Sequence, residues 1–310
     1  MKILITGING FVGSNLVKAL KEKHTLYGID IITTKKDGVV KTYSWADLNN
    51  GLNTDFDTII HLAGIAHDIK NKTKTQDYFS INTMLTQKVY DFFLESSAKK
   101  FIFFSSVKAV AEFVVGKELT ENVTPKPKGP YGESKIKAEK YIQSRLPKNK
   151  QVYILRPSMI HGPGNKGNLN LLYSFISKGI PWPLGAFDNK RSFTSIDNLC
   201  FILNELVVKE IASGIYNIAD DEAISTNEII YITCDVLEKK AHIWHLPKVL
   251  MHFFASQGSI FNFMLNTDSL RKLTENYVVS NTKIKNALCI EQMPVRAKEG
   301  LIKTIKSFKN

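Results

Sequence analysis

Short apolar runs and amphipathic segments alternate through the first half of the chain. Continuous apolar runs at residues 3–5, 26–29, 101–104 and 152–155 predict strands that are buried on both faces, as at the centre of a parallel sheet. Between the strands, apolar residues recur at helical spacing, for example within residues 11–20. This alternation of strand and helix predicts an α/β fold built on a doubly wound parallel sheet.

A glycine-rich turn joins the first predicted strand to the first helix. Its residues Gly7, Gly10 and Gly13 allow a sharp turn, a close approach of backbone to a pyrophosphate, and close packing of helix on strand. Asp30 ends the second strand 23 residues after Gly7, near the ~20 expected for a carboxylate that binds the ribose hydroxyls of NAD. These elements in this order predict a Rossmann-type dinucleotide site that prefers NAD. Lys35 and Lys36 leave NADP open as the alternative.

Tyr131 and Lys135 lie four residues apart on a predicted helix that follows Pro130. Both side chains therefore project from one face, which Ala138 and Ile142 continue as an apolar stripe. A free tyrosine titrates near 10, so its use as a base near neutral pH requires a pKa depression of about 3 units. The Lys135 ammonium and a second cation would supply this depression. Taken alone, this spacing is also typical of ordinary surface helices.

Two further predicted strands deliver polar residues to the carboxyl edge of the sheet, where open α/β sheets bind their ligands. One strand ends in Ser105 and Ser106. Another ends at His61, which we interpret as a structural histidine, and continues into a loop of small residues up to Gly64. Asn82 lies on the apolar face of the next helix. Because a buried amide needs partners, we expect Asn82 to brace the neighbouring strand.

The composition is that of an ordinary globular protein, with 310 residues of which 44% are hydrophobic. The net charge of +12 comes from scattered lysines, which argues against nucleic-acid binding and favours anionic ligands or an acidic membrane face. Cys200, Cys234 and Cys289 are far apart and lack metal-ligand spacing, so we predict no metal site and interpret them as buried, reduced thiols of a cytoplasmic protein. No apolar run has the length of a membrane-spanning helix.

Regular alternation weakens in the second half of the chain, which predicts a smaller, mixed C-terminal substrate lobe. The apolar stretch 247–265 is predicted to be a packed helical hairpin, with an interfacial membrane helix as the alternative. The predicted division is a Rossmann domain at 1–162, with 191–212 returning to it, and a substrate lobe at 163–310, mainly 163–190 and 213–310.

These residues resemble the extended short-chain dehydrogenase/reductase family, in particular bacterial NAD-dependent epimerase/dehydratases that act on nucleotide-diphosphate sugars. The resemblance covers nearly the whole chain. The motifs that carry it are Thr6-Gly7-x-x-Gly10-x-x-Gly13, Asp30, Asp47-Leu48, His61-Leu62-Ala63-Gly64, Asn82, Ser105-Ser106-Val107-Lys108, Tyr131-x-x-x-Lys135, Leu155-Arg156-Pro157, a loop from Gly162 to Asn168, and Arg191-Ser192-Phe193 leading to Asp197.

The resemblance implies a role for each of these positions. It makes Tyr131 the acid/base, Lys135 the group that binds the nicotinamide ribose and lowers the tyrosine pKa, and Ser106 the partner of the reacting sugar oxygen. The cofactor contacts that it implies are Gly7, Gly10, Phe11, Val12, Gly13, Asp30, Asp47 (to adenine), Leu48, Leu62, Ala63, Gly64 and Asn82, besides Tyr131 and Lys135. The substrate contacts that it implies are Ser106, Lys108, Asn168, Arg191 for a phosphate, and Arg271 for a second phosphate contact.

The activity implied is NAD-dependent 4-epimerisation of a UDP-hexose or UDP-N-acetylhexosamine for surface polysaccharide synthesis, in a homodimer formed through two helices per subunit. Many epimerases carry a small Ser or Thr where this chain has Lys108, and Tyr-Gly where it has Val110-Ala111. The Ser-Val-Lys variant resembles a subgroup that includes 4-keto reductases. An NAD(P)H-dependent reductase of a UDP-4-keto-6-deoxy sugar is therefore the alternative. A catalytically silent dinucleotide-binding regulator is a third hypothesis, which the intact Ser106, Tyr131 and Lys135 set opposes.

Overall fold

A seven-stranded parallel sheet forms the centre of the fold in the computed structural model, which describes residues 1–50, 52, 55–65, 73–165, 167–261 and 267–309. The strands of the chain are β1 (Lys2–Thr6), β2 (Thr25–Ile29), β3 (Lys41–Tyr43), β4 (Thr58–His61), β5 (Lys100–Phe104), β6 (Gln151–Pro157), β7 (Met159–His161), β8 (Phe193–Ser195) and β9 (Gly214–Ile218). The main sheet has the order β3-β2-β1-β4-β5-β6-β9, and every neighbouring pair is parallel. The predicted fold class is confirmed.

Helices cover both faces of this sheet. They are α1 (Phe11–Leu20), α2 (Trp45–Asn49), α3 (Thr75–Tyr78), α4 (Leu85–Glu95), α5 (Gly129–Gln143), α6 (Asn168–Ser177), α7 (Ile196–Val208), α8 (Thr226–Leu237), α9 (Lys248–Phe261), α10 (Thr267–Thr274), α11 (Thr282–Leu288) and α12 (Ala297–Lys306). Ile3 and Ile5 pack in a core with α1, α7 and α11, whereas Leu4 packs in a second core with α4 and α5. Because successive residues of a strand face opposite sides, this double burial requires the continuous apolar runs seen in the sequence.

Part of the segment assigned to the substrate lobe belongs to the main sheet. Residues Gly214–Ile218 form β9, which pairs in parallel with β6 at one edge. The helix α11 that follows places Ile284 and Leu288 in the same core as α1. The stretch 213–310, predicted to lie mainly in the substrate lobe, therefore contributes these two elements to the main sheet and its core. The physical reason is that Tyr216 and Ile218 face that core while Ile215 packs against the opposite one, so β9 is covered on both sides.

The smaller lobe is built from α6, α8, α9, α10 and α12 beside a two-stranded parallel sheet of β7 and β8. Within the stretch 247–265, α9 is a single helix as far as Phe261, and residues 262–265 lie outside the described part of the chain. The helix α10, which begins at Thr267, packs against α9. Cys200 and Cys234 are buried, but Cys289 is exposed, which corrects the prediction for that thiol.

Among the described residues, no helix has both the length and the apolar character needed to cross a membrane.

Candidate active site

At two glycines of the turn between β1 and α1, a side chain would collide with neighbouring backbone atoms. Gly7 has a φ of +69°, and a Cβ there would lie 2.8 Å from the backbone nitrogen of Ala63. A Cβ on Gly13 would lie 2.5 Å from the carbonyl oxygen of Gly7. Both positions therefore require glycine, because the turn, the loop after β4 and the start of α1 meet there. The N-terminus of α1 opens from this turn, which suits the pyrophosphate of a dinucleotide.

Asp30 follows β2 at the edge of this turn. Its carboxylate accepts a hydrogen bond from the backbone N–H of Asn9 at 2.9 Å, which holds it beside the glycine loop. Lys36 reaches the same loop from the other side, since its Nζ donates to the carbonyl of Ile8 at 2.7 Å and to Ser14 Oγ at 2.9 Å. Burial lowers the pKa of Lys36, and Asp30 opposes that shift. A cation thus lies close to the carboxylate that is predicted to bind ribose.

We expect the protein to bind NAD more tightly than NADP, because Asp30 would repel a 2′-phosphate. The variant Asp30→Ser should reduce the preference by about tenfold or more, since it removes the carboxylate and leaves the Lys36 cation beside the glycine turn. Titration of both dinucleotides against the wild type and the variant measures this. Asp37→Ser is the matched control, because Asp37 lies in the same loop but pairs with Lys21 at 2.7 Å. Tighter binding of NADP than NAD by the wild type would contradict the prediction and favour the reductase.

The loop after β4 and a π-helical turn at Phe79–Met84 bring Gly64, Asn82 and Lys135 together. Asn82 is fully buried; its Oδ1 accepts from the backbone N–H of Ile65 at 2.8 Å, and its Nδ2 donates to Ser134 Oγ at 3.1 Å. The amide thus ties this loop to α5. A Cβ on Gly64 would lie 2.8 Å from Asn82 Oδ1 and 3.1 Å from Lys135 Nζ, so a side chain at Gly64 would displace both groups.

Lys135 is buried on α5 and its Nζ donates to the carbonyl oxygen of Phe104 at 2.8 Å. Burial lowers the pKa of Lys135 to about 8, and Glu139 opposes this shift. His61 is also fully buried, with its two ring nitrogens 2.7 Å from Thr6 Oγ1 and 2.9 Å from a threonine of α4. Burial, with a smaller effect of Lys135, lowers its pKa to about 3. His61 therefore has the neutral, bonded ring of a structural histidine.

Tyr131 and Ser106 meet at the carboxyl edge of β5. A side-chain hydrogen bond joins the two hydroxyls, and Ser106 Oγ also accepts from the backbone N–H of Lys108 at 3.2 Å. The ring of Tyr131 packs edge-on against Tyr78, with centroids 6.1 Å apart. Burial raises the pKa of Tyr131, and the bond with Ser106 opposes this shift. The protein alone therefore does not produce the depression that a tyrosine base requires.

A buried ion pair behind these residues was not predicted from the sequence. Glu139 and Arg156 are almost fully buried, and Arg156 Nε donates to Glu139 Oε1 at 3.0 Å while Nη2 donates to Oε2 at 2.5 Å. Ser105, the neighbour of Ser106, also donates to Glu139. The signal was available in the sequence, because Glu139 follows Lys135 by four residues and so lies on the same inward face of α5.

Basic side chains cluster beside the loop that follows Ser106. Lys108 Nζ lies 3.2 Å from Glu112 and 4.8 Å from the ring centre of Tyr277. The guanidinium of Arg191 lies 6.0 Å from the same ring and donates to the carbonyl of Lys272. Burial lowers the pKa of Lys108, the pairing with Glu112 opposes that shift, and the charges of Arg191 and Lys272 add smaller lowering effects. The structure thus brings two of the predicted substrate residues, Lys108 and Arg191, around one aromatic ring.

The remaining predicted residues have varied surroundings. Arg271 packs 3.5 Å from the ring centre of Phe113 and pairs with Glu275. Asp47 completes the capping box of α2, whose N-cap is Ser44, by accepting two hydrogen bonds from Ser44 at 2.7 and 2.8 Å. Leu48 is buried in the core shared with α4. Phe11 and Val12 of α1, and Leu62 after β4, pack against the opposite core. The side chain of Asn168 lies outside the described part of the chain. The cofactor and substrate contacts of these residues stay predictions.

Comparison with known proteins assigns the chain to a family. A family model described as the NAD dependent epimerase/dehydratase family matches residues 3–219, which include the glycine loop and the Tyr131 helix. The chain belongs to this family. A UDP-glucose 4-epimerase of Vibrio cholerae is 31% identical over 99% of this chain and 95% of its own length. An Escherichia coli O157:H7 protein named N-acetyl-alpha-D-glucosaminyl-diphospho-ditrans,octacis-undecaprenol 4-epimerase is 27% identical over 91% of this chain and 84% of its own length.

Solved structures share the fold of this chain. UDP-glucuronic acid 4-epimerase from Bacillus cereus, in complex with NAD, aligns with a TM-score of 0.76 and 23% identity over 100% of this chain and 96% of its own. The Bordetella bronchiseptica enzyme WbmG, in complex with NAD and UDP, aligns with a TM-score of 0.77 and 16% identity over 99% of this chain and 94% of its own. The family is NAD-dependent, and the glycine turn described above has the shape that NAD requires. NAD is the cofactor, as predicted.

Proposed function

We propose that the protein is an NAD-dependent 4-epimerase of a UDP-hexose or UDP-N-acetylhexosamine. The observation that carries this proposal is the hydrogen bond between Ser106 and Tyr131 at the carboxyl edge of β5. Lys135 donates to the carbonyl of Phe104, two residues before Ser106, and Lys108, two residues after Ser106, belongs to the basic cluster around Tyr277. The relative of Vibrio cholerae, a UDP-glucose 4-epimerase, supports this reaction and substrate class.

Each residue then has a chemical task. Ser106 holds the C4 oxygen of the sugar by a hydrogen bond, and Tyr131 removes the proton of that hydroxyl and later returns it. Bound NAD would supply the acceptor and donor of the C4 hydride, and its positive charge would be the second cation that the Tyr131 phenolate requires. Inversion at C4 requires the 4-keto sugar to turn over in the site, so that the hydride returns to its opposite face. Lys135 binds the nicotinamide ribose and adds its own charge to the field at Tyr131. Since burial alone raises the pKa of Tyr131, we infer that the tyrosine becomes a base only in the complex with the cofactor.

The basic cluster suits the diphosphate of the substrate. Arg191 and Lys108 share one aromatic ring, and burial reduces the screening of their charges by water. A guanidinium matches the geometry of a phosphate, and hydrogen bonds to charged groups contribute about 1.5–3 kcal/mol. We propose Arg191 as the phosphate contact and Lys108 as the residue that sets the local charge next to Ser106.

The variant Arg191→Ala should weaken the binding of UDP by about tenfold or more, because it removes a charge-assisted contact to a phosphate oxygen. Calorimetric titration of UDP alone measures this without the sugar. Arg145→Ala is the matched control, since Arg145 is an exposed arginine just after α5 and pairs with Asp91 at 2.8 Å. An unchanged affinity for UDP in Arg191→Ala would reject the phosphate role.

The reaction itself is tested with purified protein and UDP-hexoses in the absence of added cofactor. An epimerase regenerates NAD in every cycle, so it should interconvert UDP-glucose and UDP-galactose, or their N-acetylated forms, without net consumption of NAD. The reductase alternative requires stoichiometric NADH or NADPH and a 4-keto sugar. A silent dinucleotide binder would catalyse neither the epimerisation nor the reduction. A second reaction with NADH or NADPH and a UDP-4-keto-6-deoxy sugar separates the reductase from the silent binder, so the two assays together distinguish all three functions.

A second candidate substrate carries the same diphosphate on a polyprenyl chain. The E. coli O157:H7 relative, whose name describes a 4-epimerase of an undecaprenyl diphosphate sugar, is the observation that favours it. The same assay with a polyprenyl-diphosphate N-acetylhexosamine decides between the two carriers. The role in surface polysaccharide synthesis and the homodimer remain predictions of the resemblance; the mass of the protein in solution tests the homodimer.

A further inference from the structure

The helix α9 of the smaller lobe has apolar residues on two opposite faces. Met251 and Ala255 of α9 are buried in the core of that lobe. Val249, Leu250, Phe253 and Phe254, which we call the α9 apolar face, have exposed fractions between 39 and 82%. At 100° per residue these four side chains span about 140° and lie opposite the buried pair. A helix at the surface of a globular protein normally presents polar residues to water. The exposed apolar residues of α9 therefore indicate a surface that binds a partner.

The charges next to the α9 apolar face indicate the chemistry of its partner. Residues 239–256 contain three lysines, three histidines and no acidic residue. Lys240 and Lys248 are exposed, and Trp244, in the loop before the helix, is 55% exposed. An apolar helix face with flanking lysines and a nearby tryptophan is the combination that inserts into the headgroup region of a bilayer with acidic lipids.

A second copy of the chain fits this face less well. Pairing two α9 apolar faces would bring the lysines of both copies together, and the whole chain already carries a net charge of +12. An anionic bilayer supplies the opposite charge and takes up the apolar side chains at the same time.

We propose that the α9 apolar face docks the protein on an anionic membrane surface as a peripheral, reversible contact. Val249, Leu250, Phe253 and Phe254 enter the boundary between headgroups and acyl chains, and Lys240 and Lys248 bind lipid phosphates. The docking stands independently of the sugar that the active site converts.

Flotation of the full-length protein with lipid vesicles tests the docking. The wild type should float with phosphatidylcholine vesicles that contain phosphatidylglycerol, much less with phosphatidylcholine alone, and less as salt is raised above about 0.1 M. The double variant Val249→Asp/Phe253→Asp should lose about tenfold or more in partitioning. Lys248→Glu should lose about fivefold or more on the anionic vesicles. The matched control is Leu146→Asp/Val208→Asp, two half-exposed apolar positions on the main-sheet lobe.

Melting temperature and NAD binding of every variant establish that the fold is intact, whatever the substrate is. Three results would overturn the proposal: no flotation of the wild type, equal flotation with neutral and anionic vesicles, or flotation of the double variant at the wild-type level. A wild-type dimer that the double variant converts to monomer, with no vesicle binding, would assign the face to a second copy instead.

Discussion

Replacing Tyr131 with Phe should lower turnover of a UDP-hexose by about 10²- to 10⁴-fold, the usual contribution of a general acid/base. The change removes one hydroxyl and no packing volume, so the glycine turn and the edge-on contact with Tyr78 should persist. We expect the free energy of unfolding to change by less than about 1.5 kcal/mol, the value of one hydrogen bond. The affinity for NAD should remain close to that of the wild type. Steady-state kinetics, chemical unfolding and NAD titration measure the three effects separately.

Tyr141→Phe is the matched control for this prediction. Tyr141 lies on the same helix, and its hydroxyl bonds to the carboxylate of Asp91 at 2.7 and 2.9 Å, away from Ser106. Its loss should leave turnover unchanged. If Tyr131→Phe kept near-normal turnover, α5 would be a structural helix, and the protein would be a dinucleotide binder without this chemistry.

The parts of the fold that sequence predicts well are those whose physical requirement is local. Gly7 and Gly13 are needed because of a positive φ and two backbone approaches within a few residues of the turn. The buried strands follow from continuous apolar runs, since both faces of the sheet are covered. The position of Asp30 at the end of the second strand is predictable because a strand-helix-strand unit has a characteristic length. In each of these cases, the residue type and its spacing in the sequence are enough to predict the feature.

The parts that sequence does not predict depend on distant packing. The position of Lys36 in the glycine turn depends on the path of the loop after β2, and no periodicity encodes that path. The pKa of Tyr131 depends on how completely the fold buries it, and burial raises that pKa; the predicted depression also requires a second cation besides Lys135. The strand β9 follows the long crossover through β7, β8 and α7, so its short apolar run had no local cue to its sheet.

The buried pair of Glu139 and Arg156 supports the catalytic edge from behind. It joins α5 to β6, and through Ser105 it fixes the strand end that carries Ser106. The carboxylate also raises the pKa of Lys135 against the effect of burial. Glu139 is therefore a positioning residue, which acts through Lys135 and Ser105 and not by contact with the substrate.

The variant Glu139→Gln should reduce the free energy of unfolding by about 3–5 kcal/mol, because it leaves the buried Arg156 cation without a counterion. It should also lower the pKa of Lys135 further below about 8, since only the burial effect remains. Lys135 would then lose its charge at a lower pH, so the alkaline decline of kcat should move to lower pH. Urea unfolding and the pH profile of kcat measure the two effects.

Two variants separate the effect on Lys135 from a general loss of stability. Glu133→Gln changes an exposed carboxylate on the same helix and should alter neither measurement. Glu139→Gln/Arg156→Met removes both charges, so it should recover much of the lost stability while the alkaline decline stays displaced. A double variant whose pH profile returned to that of the wild type would show that Glu139 acts through stability alone. Because Lys135 still lacks the carboxylate in the double variant, we expect the displacement to remain.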